Sequence, residues 1–123
     1  MAIPFTRQIL SNGLHVLVHE DHNTPLAACT IVYRVGSRDE DDHCTGLAHL
    51  MEHFMFSGSD HAPDFDLALQ KVGGINNAYT SQDLTCYYIV LPANNIEKLF
   101  GSNPTVWPPS PSVSKDWMCR SRW

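Results

Sequence analysis

No run of this chain is apolar over enough residues to cross a bilayer, and no cluster of Lys and Arg interrupts its acidic balance. Eight Lys and Arg stand against thirteen Asp and Glu, a formal net charge of −5 over 123 residues. Nucleic acid and membrane surfaces, which are held by basic patches, are therefore not expected as partners. The opening residues, Met1 to Arg7, lack the long apolar core of a secretory signal. Cysteine is sparse: Cys29, Cys44, Cys86 and Cys119 make no C-x-x-C pair and no dense framework. That usage fits reduced thiols in a cytoplasmic protein, with Cys29 and Cys86 as small core residues inside apolar runs. At this length one domain with a modest core is expected.

What the chain does contain is His49-Leu50-Met51-Glu52-His53. Two imidazoles four residues apart on a helix lie one turn above each other on the same face. Both can reach one metal ion without distorting the backbone. Glu52 projects within about 100° of both, close enough to take a proton from a water that the metal activates. The pattern inverts the commoner H-E-x-x-H arrangement. Seven histidines in the chain make a chance pairing of this kind a real alternative. The helix period argues against it: Leu47, Leu50, Met51 and Phe54 share an arc of roughly 100°, expected to pack on a core, with the three ionisable groups opposite. Two ligands are present, whereas a catalytic zinc takes three from protein plus a water.

Along the chain, Arg7 to Leu10 and Leu14 to His19 read as a hairpin around Ser11-Asn12-Gly13, with Asn-Gly supplying positive φ. His15 and His19 fall on the polar side of its alternation and are expected to be solvated. A second β run spans Leu26 to Val35. The acidic stretch Asp39 to Asp42 reads as a loop whose charge suits the N-terminus of the motif helix, which starts at Cys44 or Thr45 and stops near Ser57-Gly58-Ser59. A second helix, Phe65 to Val72, closes on Gly73-Gly74, where a left-handed cap is wanted. Two more β runs follow, Ile75 to Ser81 and Thr85 to Leu91. The second is the most apolar and is expected to be central in its sheet. Asn94 or Asn95 is a candidate cap for a third helix from Ile96 to Phe100. The pattern predicts an α+β fold, an antiparallel sheet with helices packed on one face.

The last residues do not match the rest. All three Trp and four of the eight Pro lie after Gly101, and no Glu follows Glu97. The sequence divides into residues 1–100 and an aberrant or disordered tail, 101–123. The tail reads either as a Pro/Ser-rich disordered segment or as sequence outside its proper reading frame. The second accounts better for a helix abandoned after roughly two turns.

Gly36-Ser37-Arg38-Asp39-Glu40, the run Thr45 to Ser59 around the histidine motif, and the run Gly73 to Tyr88 containing Asn76-Asn77-Ala78-Tyr79-Thr80-Ser81 resemble the pitrilysin and mitochondrial-processing-peptidase family of inverzincins. The resemblance runs from about Phe5 to Phe100, on several ordered motifs. It implies that residues 1–100 are the first half of a zinc metallopeptidase catalytic domain, a truncated metallohydrolase fold. It further implies Zn2+ as cofactor, His49 and His53 as its ligands, and Glu52 as general base in peptide hydrolysis. Asn77, Ala78 and Tyr79 match the family's substrate-binding edge strand, where a peptide adds as an extra β-strand. Without the resemblance, Asn77 reads as an ordinary turn residue.

The family's third zinc ligand is a Glu roughly 75 residues past the motif, which would fall at about position 130 here. Asp64, Asp66 and Asp83 are the candidates within this chain, although nothing in the pattern places them. The family also implies a peptide or unfolded polypeptide substrate and a homologous second domain or partner subunit. The leading expectation is a truncated zinc endopeptidase fragment with little activity by itself. The alternatives are a non-catalytic partner subunit and a two-ligand zinc-binding domain that performs no hydrolysis. Uncovered sheet edges and core faces are expected to make it poorly soluble.

Overall fold

The structure, a computed structural model, describes residues 3–56 and 65–97. Two antiparallel sheets form within them. The first pairs β1 (Thr6–Ile9) with β2 (His15–Val18), and the second has three strands: β3 (Leu26–Tyr33), β4 (Ile75–Thr80) and β5 (Thr85–Pro92), in the order β3-β5-β4. The helices α1 (Leu47–Phe56) and α2 (Phe65–Lys71) lie between β3 and β4 in the chain and contact β4. The fold is α+β, as the sequence pattern predicts.

β5 is central because it is apolar on both faces. Thr85, Cys86, Tyr87, Ile89 and Leu91 are all buried, with Ile89 fully so. Its register places Asn76 opposite Ile89, Ala78 opposite Tyr87 and Thr80 opposite Thr85. Those residues share one sheet face by the two-residue strand period. Leu69 of α2 packs there with Ile89 and Leu91, and Cys29 and Val72 join the edge of that core. Cys29 and Cys86 are free thiols.

Helix α2 stops where the glycines require it. Gly73 has φ of 75°, its N–H donates to the Gln70 carbonyl, and the Gly74 N–H donates to the Leu69 carbonyl, both at 2.9 Å. This paired bonding satisfies carbonyls that a helix end otherwise leaves open. The first hairpin differs in detail from expectation. Only Gly13 has positive φ. The Gly13 N–H reaches the Leu10 carbonyl, and the Asn12 side chain accepts from the Leu14 N–H at 3.1 Å. Asn12 thus acts through its side chain in a longer loop closed by a left-handed glycine, rather than through its own φ. The Asn95 side-chain amide donates to the Val72 carbonyl at 2.9 Å, tying the segment after β5 to the end of α2. The expected end of α1 at residues 57–59, Asp64, the bulk of the expected third helix and the tail lie outside the described residues.

Much apolar surface is open. Leu17 of the hairpin is 65% exposed, and Leu26, Val32, Ile75 and Tyr79 are exposed on the sheet face away from the helices. A two-stranded hairpin with no covering layer is marginal in water. The isolated chain is expected to self-associate at micromolar concentration, through apolar patches of the kind that cause aggregation. Sedimentation velocity checks this; a single monomeric species at high concentration would rule it out.

Candidate active site

Helix α1 is held at its start by a residue well upstream. The Glu40 carboxylate accepts from the Gly46 N–H at 2.6 Å and the Ala48 N–H at 2.7 Å. It thereby satisfies two donors that a helix N-terminus leaves free, with charge of the sign favoured there. This realises the helix-terminus role expected of the acidic stretch. The segment before it, a 3-10 turn at Ser37–Asp39, is laced to the β4–β5 connection. The Ser37 and Arg38 N–H groups donate to the Ser81 and Gln82 carbonyls, each at 3.1 Å. The Arg38 guanidinium also meets the Asp83 carboxylate at 2.5 Å. One strap therefore fixes the helix carrying the histidines relative to the end of β4.

The face that α1 turns inward differs from the apolar arc expected of it. Ala48 and Glu52 are buried, while Leu50, Met51 and Phe54 are exposed. The small Ala48 lets the helix approach the sheet, and Glu52 finds a partner in it: the Thr80 hydroxyl of β4 donates to Glu52 Oε2. A buried carboxylate requires such a bond. The His49 and His53 rings remain exposed and lie side by side, with centroids 4.7 Å apart and planes at 58°.

Along β4 the half-buried residues are Asn76, Ala78 and Thr80, and the exposed ones Ile75, Asn77 and Tyr79. Asn76 bonds Asp66 of α2 at 2.8 Å, and Thr80 bonds Glu52 of α1. The helices are thus docked to the same strand through polar bonds. β4 has β5 on one side and no described strand on the other. Along this edge runs an open groove of about 560 Å³, lined by Ser37, His49, Glu52, Ala78, Tyr79, Thr80, Ser81 and Gln82.

Of the residues singled out in the sequence, His49, Glu52, Ala78 and Tyr79 meet in the groove. His53 stands beside His49, and Asn77 shares the strand, its side chain accepting from the Ala78 N–H at 2.8 Å. His15 and His19 sit in the first hairpin, near Arg7 and the Pro4 carbonyl. Asp66 and Asp83 are engaged by Asn76 and Arg38. Among the described residues, no three His, Cys, Asp or Glu are placed to hold a metal together. The donors present fit part of a zinc site: two adjacent imidazoles with a carboxylate beside them, short of a third protein ligand. Thr80 is the participant that sequence reasoning missed. The only signal for Thr80 was its place two residues beyond Ala78, on the same strand face.

Tyr87, on β5 opposite Ala78, backs this site. Its ring meets Tyr33 edge-on at 5.9 Å and Phe56 at 6.2 Å. Burial, and then the nearby Glu52 carboxylate, push its phenol up to about 12. A phenol with a raised folded pKa contributes stability that is present below its ordinary value near 10 and is lost as pH rises toward 12. Alkaline unfolding curves are expected to steepen over that interval, and Tyr87→Phe is expected to flatten them. Identical curves for the two proteins would contradict this.

Comparison with known proteins bears on the site. Residues 15–101 match the sequence profile described as insulinase, peptidase family M16. The zinc protease PqqE of Helicobacter pylori is 37% identical over 92 residues, 72% of this chain and 21% of that protein. A probable mitochondrial-processing peptidase subunit beta of Arabidopsis thaliana is 33% identical over 101 residues, 80% of this chain and 19% of that protein. The solved structure of pitrilysin superposes with a TM-score of 0.70 at 28% identity, covering 77% of this chain and 10% of that one. The chain thus spans about a fifth of the length of these curated relatives.

Proposed function

Because this chain belongs to the insulinase family of peptidases, family M16, we propose that it carries the two-histidine part of a zinc-dependent endopeptidase site. The observation that supports this best is the groove itself, where His49 and the sheet-anchored Glu52 face the open edge of β4. In this reading His49 and His53 hold the zinc, and a third ligand comes from outside the described residues. The metal, when bound, supplies Lewis acidity toward the peptide carbonyl. A peptide lies along β4 as an added strand, held by main-chain bonds at Asn77, Ala78 and Tyr79. Glu52, fixed through Oε2, accepts the proton of the attacking water.

A substrate strand needs a wall on its far side to exclude water. A homologous domain or partner subunit is the proposed source of that wall. The name of the Arabidopsis relative, a peptidase subunit, supports a subunit arrangement. With two protein ligands among the described residues, the chain alone is expected to cleave an unstructured peptide at a barely detectable rate. Robust zinc-dependent cleavage by the isolated chain, abolished in Glu52→Gln, would overturn that expectation. The reading as an endopeptidase site is tested by the same peptide after addition of a covering domain from a relative. Cleavage is expected to appear and to depend on Glu52. A second reading, zinc binding without hydrolysis, is favoured by the lack of a third ligand among the described residues. It predicts zinc uptake with no cleavage under any complementation.

A further inference from the structure

We propose that Thr80 is a positioning residue that keeps the Glu52 carboxylate turned onto the sheet and out of the coordination sphere of a metal held by His49 and His53. The proposal rests on the reading of those histidines as ligands.

The helix alone does not keep Glu52 off the metal. Its side chain projects within about 100° of both histidines, and carboxylate oxygen is an ordinary zinc ligand. A site with two imidazoles leaves positions open, and a free carboxylate next to it would fill one. The tertiary structure distinguishes the groups by burial. Glu52 is 9% exposed and packed toward the sheet, whereas both histidines are exposed. The Thr80 hydroxyl donates to Glu52 Oε2 across the interface between α1 and β4. The β-branched threonine has a restricted χ1 on a strand, so its hydroxyl is a fixed donor rather than a wandering one. The Tyr87 phenol, whose ring meets Phe56 at 6.2 Å, is close enough to feel the Glu52 charge. Proton transfer by Glu52 needs a carboxylate that stays near the metal without binding it. Thr80 supplies that restraint from another element.

The full chain is titrated with Zn2+ against a chromophoric chelator, and with Co2+ while visible absorption is recorded. Wild type, Thr80→Ser, Thr80→Val, Glu52→Gln, Thr80→Val/Glu52→Gln and His49→Ala are compared. The expected results are a Co2+ spectrum unaltered by Glu52→Gln, and zinc binding in Thr80→Val tighter by about tenfold, the low end of what a partner around a metal site is worth. The gain is accompanied by intensified Co2+ bands and disappears in the double variant, and Thr80→Ser behaves as wild type. A purely structural role for Thr80 would weaken metal binding in Thr80→Val, and Glu52→Gln would not reverse the change. Unchanged affinity and spectrum in Thr80→Val overturn the proposal. So does a spectrum altered by Glu52→Gln in the otherwise wild-type chain, a comparison that does not depend on the valine variant folding. If wild type itself shows no Co2+ spectrum that His49→Ala removes, the reading of the histidines as ligands falls, and this proposal falls with it.

Discussion

Replacing His49 with alanine is expected to weaken zinc binding by about a hundredfold, and His53→Ala by a similar factor. A protein zinc site worth about 10–16 kcal/mol over four ligands assigns about 2.5–4 kcal/mol to each. That is on the order of a hundredfold in affinity, from about sixtyfold to about seven hundredfold. The two rings stand side by side on an exposed helix face, so neither truncation should disturb packing, and circular dichroism is expected to stay unchanged. His15→Ala and His43→Ala are the controls. His15 belongs to the separate hairpin, where it meets Arg7 at 3.1 Å, and His43 is an exposed loop residue ahead of α1. Both variants are expected to bind zinc as wild type does. Competition with a chelating dye measures all four. Equal affinity in His49→Ala and wild type would sink the assignment of these histidines as ligands, whatever the family.

Gly36→Ala is expected to be the most damaging single methyl in the described fold. The φ at Gly36 is −154°, ordinary extended backbone, so the requirement for glycine is one of space. A Cβ there would collide with the Ser81 carbonyl oxygen and stand 2.5 Å from the carbonyl of Gln82. Those atoms are backbone, and they accept the N–H groups of Ser37 and Arg38. The strap cannot shift outward without giving up both bonds. Overpacking of this kind costs about 1–3 kcal/mol and occasionally more, and two backbone bonds add to it. Gly46→Ala makes the contrast. Gly46 has φ of 88°, but a Cβ added there would meet nothing within 4 Å, so only the left-handed strain of about 1–2 kcal/mol applies. Urea midpoints should therefore fall further for Gly36→Ala than for Gly46→Ala. The reverse order would mean that the strap is not a rigid brace.

Parts of this fold could be read directly from the residues. The close of α2 followed from Gly73-Gly74 after a periodic segment, because a left-handed cap is a local backbone demand. The central place of β5 followed from an apolar run too continuous for a half-exposed strand. Another reading failed. The arc Leu47, Leu50, Met51 and Phe54 was expected to face the core, yet three of those four are exposed and Glu52 is buried. Apolar periodicity says that one face of a helix prefers cover; it does not say which element provides it. Asn95 has the composition of a helix cap, yet its bond to the Val72 carbonyl joins residues 23 apart and has no local signature.

The same division runs through the site. That His49, Glu52 and His53 share a region of one helix is a consequence of the 3.6-residue period, a property of short-range backbone geometry. That Ala78 and Thr80 share a strand face is likewise local. The bond from Thr80 to Glu52 joins residues 28 apart in sequence, and the contact of Gly36 with Ser81 spans more still. Neither has a periodic signature. Both arise only once β4 has paired with β5 and the strap from β3 has docked on their connection. Local spacing selected the chemical groups; long-range pairing and packing chose which of them is held, which is exposed, and which way the carboxylate points.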